Sequence, residues 1–225
     1  MKIGILGLMN SGKDTFASML QEELSKLGYD FKIDRYAQPI KELTADIFCL
    51  SVDAIEIREI KEQPRYVTTD KLLRKCHVML QDTLGFNTEE YTTAMTVVQE
   101  SWVNVGHFTW LSPREFLQVF GTDVVRAVRP NAWVDILQER DENLIVPDVR
   151  FENELCDYNV LLQRHQLNTR PAHSSEHFAW DLENIDGYWL EHDVDIAQVF
   201  NYKCYTLAEL RTQAKQFARR YNNKL

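Results

Sequence analysis

The chain opens with Lys2-Ile3-Gly4-Ile5-Leu6-Gly7-Leu8, a short apolar run bounded by glycine, and passes directly into Met9-Asn10-Ser11-Gly12-Lys13-Asp14-Thr15. Such a run predicts a strand buried on both faces, as in a parallel sheet. From Thr15 the apolar residues Phe16, Met19, Leu20, Leu24 and Leu27 recur at three- and four-residue spacing until Gly28, which predicts a helix with a glycine stop. Strand, glycine loop and helix in this order are what a phosphate-binding loop requires. Glycines let successive backbone N–H groups turn toward phosphate oxygens, the helix N-terminus favours negative charge, and Lys13 can reach the β- and γ-phosphates. The usual pattern places Ser or Thr after the lysine to touch Mg²⁺, whereas here Asp14 stands there and the hydroxyl follows at Thr15. Asp14 and Thr15 are the candidates for metal coordination, with Asp14 approaching the ion through water; the competing reading is that like charge holds Asp14 off the triphosphate. A glycine turn that merely joins strand to helix is the competing reading, and the Gly12-Lys13 pair in this context speaks against it.

Further along, Phe31 to Ile33 reads as a second short strand and Pro39 as the first residue of a helix carrying Ile40, Leu43 and Ile47 on one face. Residues 51 to 110 are polar, patchy and weakly periodic, and are read as helical insertions that cover substrate. Ser112-Pro113-Arg114-Glu115 offers an N-cap serine, a first-turn proline and a glutamate three residues after the cap, predicting a helix through Val125. Asn143 to Asp148 and Asn159 to Leu162 read as buried strands, and Thr206-Leu207-Ala208-Glu209 opens a last amphipathic helix. Strands separated by helices imply a parallel sheet whose ligand site lies at the carboxyl ends of its strands. At roughly 150 residues per domain, 225 residues allow one large domain or one with an insertion.

Composition narrows the function classes. Hydrophobic residues are 44% and charged residues 26%, with 8 Gly and 6 Pro, which predicts a folded soluble chain. A net charge of −9 disfavours a polymeric nucleic-acid partner but leaves room for a local cationic cleft. Cys49, Cys76, Cys156 and Cys204 are widely separated, so reduced thiols and a cytoplasmic location are expected, with no signal peptide or membrane span. A homodimer is compatible with the sequence.

Several residues suit anion chemistry. Asp148 ends a hydrophobic strand, where an acid can orient Mg²⁺ or its waters, and Arg150 projects to the same side of an extended segment. Capping a turn and lying on the surface are their respective competing readings. Arg114, Gln118, Thr122, Arg126, Arg129 and Trp133 combine bases, amide, hydroxyl and a flat ring, a set that suits a nucleotide but equally a solvated helix end with Trp133 in the core. His173-Ser174-Ser175-Glu176-His177 matches the H-x-x-E-H pattern of a class of zinc peptidases, although Arg170-Pro171 upstream points to a loop.

The ordered segments Ser11-Gly12-Lys13-Asp14-Thr15, Ala37-Gln38-Pro39-Ile40-Lys41, Gln118-Val119-Phe120-Gly121-Thr122-Asp123, Trp133-Val134 and Val146-Pro147-Asp148-Val149-Arg150 resemble the bacteriophage deoxynucleoside monophosphate kinases, a branch of the P-loop nucleoside monophosphate kinases. The resemblance implies a three-layer α/β P-loop NTPase fold with a central parallel sheet and helical substrate-binding or lid insertions, formed by residues 1 to 225 as a single domain. It implies transfer of the γ-phosphoryl of ATP to a deoxynucleoside monophosphate with Mg²⁺, inside the host cytoplasm. By matching positions, Asn10, Ser11, Gly12, Lys13, Asp14 and Thr15 would hold ATP, with Arg164 or Arg170 closing on the triphosphate. Lys41, Arg65, Arg114, Gln118, Gly121, Thr122, Trp133, Asp148, Arg150 and Glu154 would surround the acceptor, and Lys13, Asp148 and Arg150 would carry the chemistry. The alternatives are a P-loop kinase for another small acceptor such as dephospho-coenzyme A, a non-transferring ATP-binding module, and zinc peptidase chemistry.

Overall fold

The apolar opening run folds as β1 (Lys2–Leu6), buried from Ile3 onward because it is the central strand of a parallel sheet. The computed structural model describes residues 1–103, 107–163, 170–171, 176–184 and 199–222. After β1 come α1 (Lys13–Lys26), β2 (Lys32–Ile33), α2 (Gln38–Phe48), α3 (Val52–Glu56), α4 (Arg58–Lys61) and β3 (Arg65–Thr68). Then follow α5 (Thr69–Val78), α6 (Thr88–Trp102), β4 (Phe108–Leu111), α7 (Pro113–Gln118) and α8 (Ala132–Gln138). The chain closes with β5 (Leu144–Val146), β6 (Tyr158–Gln163), α9 (His177–Asn184), β7 (Val199–Lys203) and α10 (Leu207–Asn222). These elements form two units, one of Met1–Tyr36 with Gln138–Leu225 and one of Ala37–Leu137.

The first unit is an α/β structure with a central five-stranded parallel sheet, in the order β2-β5-β1-β6-β7, flanked by helices. Ile3, Ile5, Ile145, Val160 and Leu162 from the sheet pack with Phe16, Leu20 and Leu24 of α1 and Leu210, Ala214 and Phe217 of α10. Each such fully buried side chain contributes about 1.5–3 kcal/mol relative to exposure. The expected cap of α10 forms as a reciprocal pair: Glu209 N–H donates to Thr206 Oγ1 at 3.2 Å and Thr206 N–H to Glu209 Oε2 at 2.9 Å. Gly4 is a packing requirement, since a Cβ there would lie 2.6 Å from Asn159 Oδ1 and 2.9 Å from Val149 Cγ2. No described helix is long and apolar enough to cross a membrane, and all four thiols are free.

The second unit is mostly helical, but it also holds an antiparallel pair, β3 with β4, that sequence periodicity does not reveal. The reason is visible in the side chains. Tyr66, Phe108 and Trp110 face outward while Val67, Thr109 and Leu111 are buried, so both faces carry bulky residues and the alternation is masked. The helix expected from Ser112 through Val125 starts with its predicted capping box but widens into a π-helical turn from Val119 to Arg126. Within that turn the Gly121 carbonyl accepts the Trp133 indole N–H at 3.1 Å.

Arg129 fastens this unit. Its guanidinium donates to both Glu90 carboxylate oxygens at 3.0 and 2.5 Å and to the Leu84 carbonyl at 2.6 Å, and it stacks 4.4 Å from the Phe86 ring centroid. Glu90 in turn completes the capping box of α6 with Asn87. The Arg129 hydrogen bond holds the Glu90 carboxyl below its usual range. Arg129→Ala is expected to cost about 2 kcal/mol in denaturant unfolding, and Arg129→Lys to recover little of it, because the planar fork is lost. A loss under roughly 0.5 kcal/mol, the level of a surface ion pair, would contradict that role.

Candidate functional site

The loop between β1 and α1 is a backbone cradle. Gly7 has φ 146° and Gly12 φ 92°, and Asn10 takes the left-handed φ of 65°. A Cβ at Gly7 would meet the Leu162 carbonyl at 2.5 Å, so the loop passes over the end of β6 with no space for a side chain. Gly12 is the N-cap of α1 and supplies no capping side chain, which leaves first-turn N–H groups for an outside anion. The Ser11 hydroxyl is buried and has no hydrogen-bond partner among the described residues, a second opening for a ligand.

Lys13 is half-buried, with Nζ donating to the Gly7 carbonyl at 2.6 Å and the Leu8 carbonyl at 2.9 Å. Burial, then the nearby Arg150 charge, lowers its pKa to about 8, against smaller opposing contributions from Glu176, Asp14 and Asp148. The ammonium is thus held among groups that a phosphate oxygen would replace. Asp14 is exposed and pairs with the Arg35 guanidinium at 2.6 Å, a partner that the sequence alone does not single out. Thr15 is also exposed at the start of α1. Asp14 and Thr15 present oxygen donors of the hard kind that Mg²⁺ prefers, so the side chains fit that ion.

Beyond β5 the chain turns sharply, and its acids serve that turn. Asp148 Oδ1 accepts the Tyr36 N–H at 3.0 Å. Glu154, almost fully buried, accepts the N–H groups of Arg150 at 2.6 Å and Phe151 at 3.1 Å. Glu154 therefore holds the backbone that presents Arg150. The Arg150 side chain reaches Glu176 at 2.7 Å, and Glu176 also accepts the Met9 N–H at 3.0 Å. Glu183 on α9 is a further carboxyl within charge reach of Lys13; burial lifts its pKa to about 7 while Lys13 opposes the rise. Its neighbourhood in the sequence, Phe178-Ala179-Trp180-Asp181-Leu182-Glu183-Asn184, carries no motif.

Among the remaining sequence-derived residues of this unit, Arg164 and His173 lie outside the described residues. Arg170 is paired with Asp181. His177 Nε2 faces the Pro171 carbonyl at 2.9 Å, which requires a proton on that nitrogen and withdraws it from metal ligation.

The second unit carries the other sequence-derived residues. Arg65 on β3 and Arg114 in the first turn of α7 are partly buried, and the Nε of each has no partner among the described residues. Arg65 reaches Gln63 Oε1 at 3.4 Å, and Arg114 reaches the adjoining Glu62 at 3.4 Å. Gln118 and Thr122 are partly buried on the same helical stretch. Lys41 is paired with Glu56 at 2.6 Å. Gly121 packs so closely that a Cβ would come 2.9 Å from Ile40 Cδ1. Trp133 is 3% exposed with its N–H already used, and Arg129 is committed to Glu90, so both act in packing rather than offering a free face to a ligand.

No family model matches the chain. Among curated proteins it is similar to the deoxynucleoside-5'-monophosphate kinase of Escherichia phage T5, with 26% identity over 174 residues, covering 68% of this chain and 69% of the relative. The resemblance read from the ordered motifs is thereby met by an alignment over most of the chain.

The lowered pKa of Lys13 makes a signed prediction for stability. Between about 8 and the ordinary 10.5 the unfolded chain binds the proton that the folded chain has released. Unfolding free energy should therefore rise with pH across that window, by at most about 1.4 kcal/mol per unit. Denaturant melts of wild type and Lys13→Met at several pH values isolate this contribution. The difference should slope upward above pH 8, and parallel curves would contradict the burial of the ammonium.

Proposed function

We propose that this chain is a nucleotide kinase, and more narrowly a deoxynucleoside monophosphate kinase. It would transfer the γ-phosphoryl group of ATP to a deoxynucleoside 5′-monophosphate, giving the diphosphate and ADP. The observation that carries the reading is the Gly7 to Thr15 cradle with Lys13 turned into it at the carboxyl end of the central strand. The name of the phage T5 relative supports the acceptor class.

In this reading an oxygen of the acceptor phosphate attacks the γ-phosphorus, and the bond to the β–γ bridging oxygen breaks as ADP leaves. That nucleophile is already anionic, so the protein's task is to align two anions and offset their repulsion. Loop N–H groups and the Ser11 hydroxyl take phosphate oxygens, and Lys13 moves from the Gly7 and Leu8 carbonyls onto the terminal phosphates. Asp14 and Thr15 would hold Mg²⁺, directly or through water, with Asp14 released from Arg35; the ion would supply charge neutralisation. Arg150 stabilises charge on the transferred group, held in place by Glu154. Asp148 positions the Tyr36 backbone and is assigned to orienting water near the phosphates.

For the acceptor, Arg65 and Arg114 are assigned to its phosphate, since each carries a buried Nε donor without a partner among the described residues. A desolvated, unpaired donor costs free energy that a bound anion restores. Gln118 and Thr122 supply hydrogen bonds to the nucleoside, while Lys41, Gly121 and Trp133 support the surrounding helix. Arg164 belongs to the donor side by its sequence position.

Two variants test these assignments separately. Lys13→Ala should lower turnover by at least about a hundredfold, the scale of losing one preorganised donor, with the fold retained. Arg114→Ala should raise the KM for the monophosphate by about tenfold or more while leaving the KM for ATP close to wild type. Near-normal turnover in Lys13→Ala would sink the kinase assignment. An ATP-side defect in Arg114→Ala would move that arginine to the donor.

A further inference from the structure

The phosphate loop already holds an anion belonging to the chain itself. Glu176 stands immediately before α9, yet its Oε2 accepts the Met9 N–H at 3.0 Å and its Oε1 accepts Arg150 at 2.7 Å. One carboxylate therefore bridges a loop amide and the arginine that follows β5. The side chain is only 16% exposed, against 43% for Arg150, so the contact is unlike a solvated surface pair. Its negative charge also favours the ammonium form of Lys13. Glu176 thus faces the groups assigned above to the terminal phosphates of ATP.

A carboxylate and a phosphate cannot both occupy the Met9 amide and the Arg150 fork, and two anions side by side repel. The H-x-x-E-H pattern acquires a different meaning here. His177 has its Nε2 committed to the Pro171 carbonyl, and the glutamate serves the phosphate loop. We propose that Glu176 is a resident counter-anion of the phosphate loop, which holds Arg150 and the Met9 amide in an anion-binding arrangement until the terminal phosphate of a nucleoside triphosphate displaces it. The proposal rests on the nucleotide-kinase reading of this site. It makes Glu176 a positioning residue that discriminates triphosphate from diphosphate, because only a ligand with the additional phosphate gains both of its partners.

Equilibrium titration of wild type, Glu176→Gln and Glu176→Ala with Mg·ATP and with Mg·ADP, in the absence of acceptor, tests this. Removing the competing charge should tighten ATP by about tenfold, the scale of one charge-assisted hydrogen bond, in both variants. ADP affinity should change by less than about threefold. If Glu176 only braces the loop, both nucleotides will weaken together, and that result overturns the proposal. Unchanged ATP affinity in both variants overturns it as well. If wild type and variants bind neither nucleotide, the nucleotide-kinase reading fails and takes this proposal with it. Thermal melts of the variants identify any loss of fold directly.

Discussion

Lys13 carries a positive charge into a loop where burial and Arg150 both oppose it, and the carbonyls of Gly7 and Leu8 receive it at 2.6 and 2.9 Å. That placement is possible only because the loop backbone turns through φ values of 146° at Gly7 and 92° at Gly12. The turn in turn depends on β1 being held between β5 and β6, two strands that arrive much later in the chain. Gly4 permits the close approach to Asn159 and Val149 that this pairing demands. Acids then gather around the charge: Asp14, Asp148 and Glu176 each favour the ammonium form. A partly buried cation in an acidic protein is thus placed by local backbone geometry rather than by net charge.

The second unit shows how unlike the roles of chemically identical side chains can be. Arg129 forks onto Glu90 and caps the ends of helical turns, and its removal would be felt in stability. Arg65 and Arg114 instead carry buried Nε donors without partners among the described residues. Folding tolerates such donors when a ligand completes them, which is the ground on which both arginines are proposed to meet a bound anion. Trp133 belongs with the braces, its indole N–H fixed on the Gly121 carbonyl.

Much of the first unit was legible because its signals are local. An apolar run closed by glycine, a Gly12-Lys13 step and a periodic helix report strand, loop and helix within the first 26 residues. The caps at Ser112 and Thr206 were readable for the same reason, since each is a reciprocal contact across three residues. What the sequence concealed depends on distance along the chain. The β3–β4 pair joins segments with bulky residues on both faces, and the π-helical widening at Val119 leaves hydrophobic spacing nearly intact. The Arg35–Asp14 pair, the half-buried Glu183 and the Glu176 bridge to Met9 arise only when remote segments meet. For Trp133 and Arg129 the sequence left both a nucleotide contact and a packing role open, because residue type does not disclose that the indole N–H is bonded to Gly121 and the guanidinium to Glu90.

Phosphoryl transfer makes one P–O bond and breaks another, so the fate of the phosphorus itself distinguishes a kinase from a module that only binds nucleotide. The protein would be incubated with ATP labelled at the γ-phosphoryl group, Mg²⁺ and each deoxynucleoside and ribonucleoside monophosphate in turn, with dephospho-coenzyme A as a further acceptor. A deoxynucleoside monophosphate kinase places label in the diphosphate of one or more deoxynucleotides with a matching yield of ADP. Label in dephospho-coenzyme A alone, or release only as inorganic phosphate regardless of acceptor, would contradict that assignment.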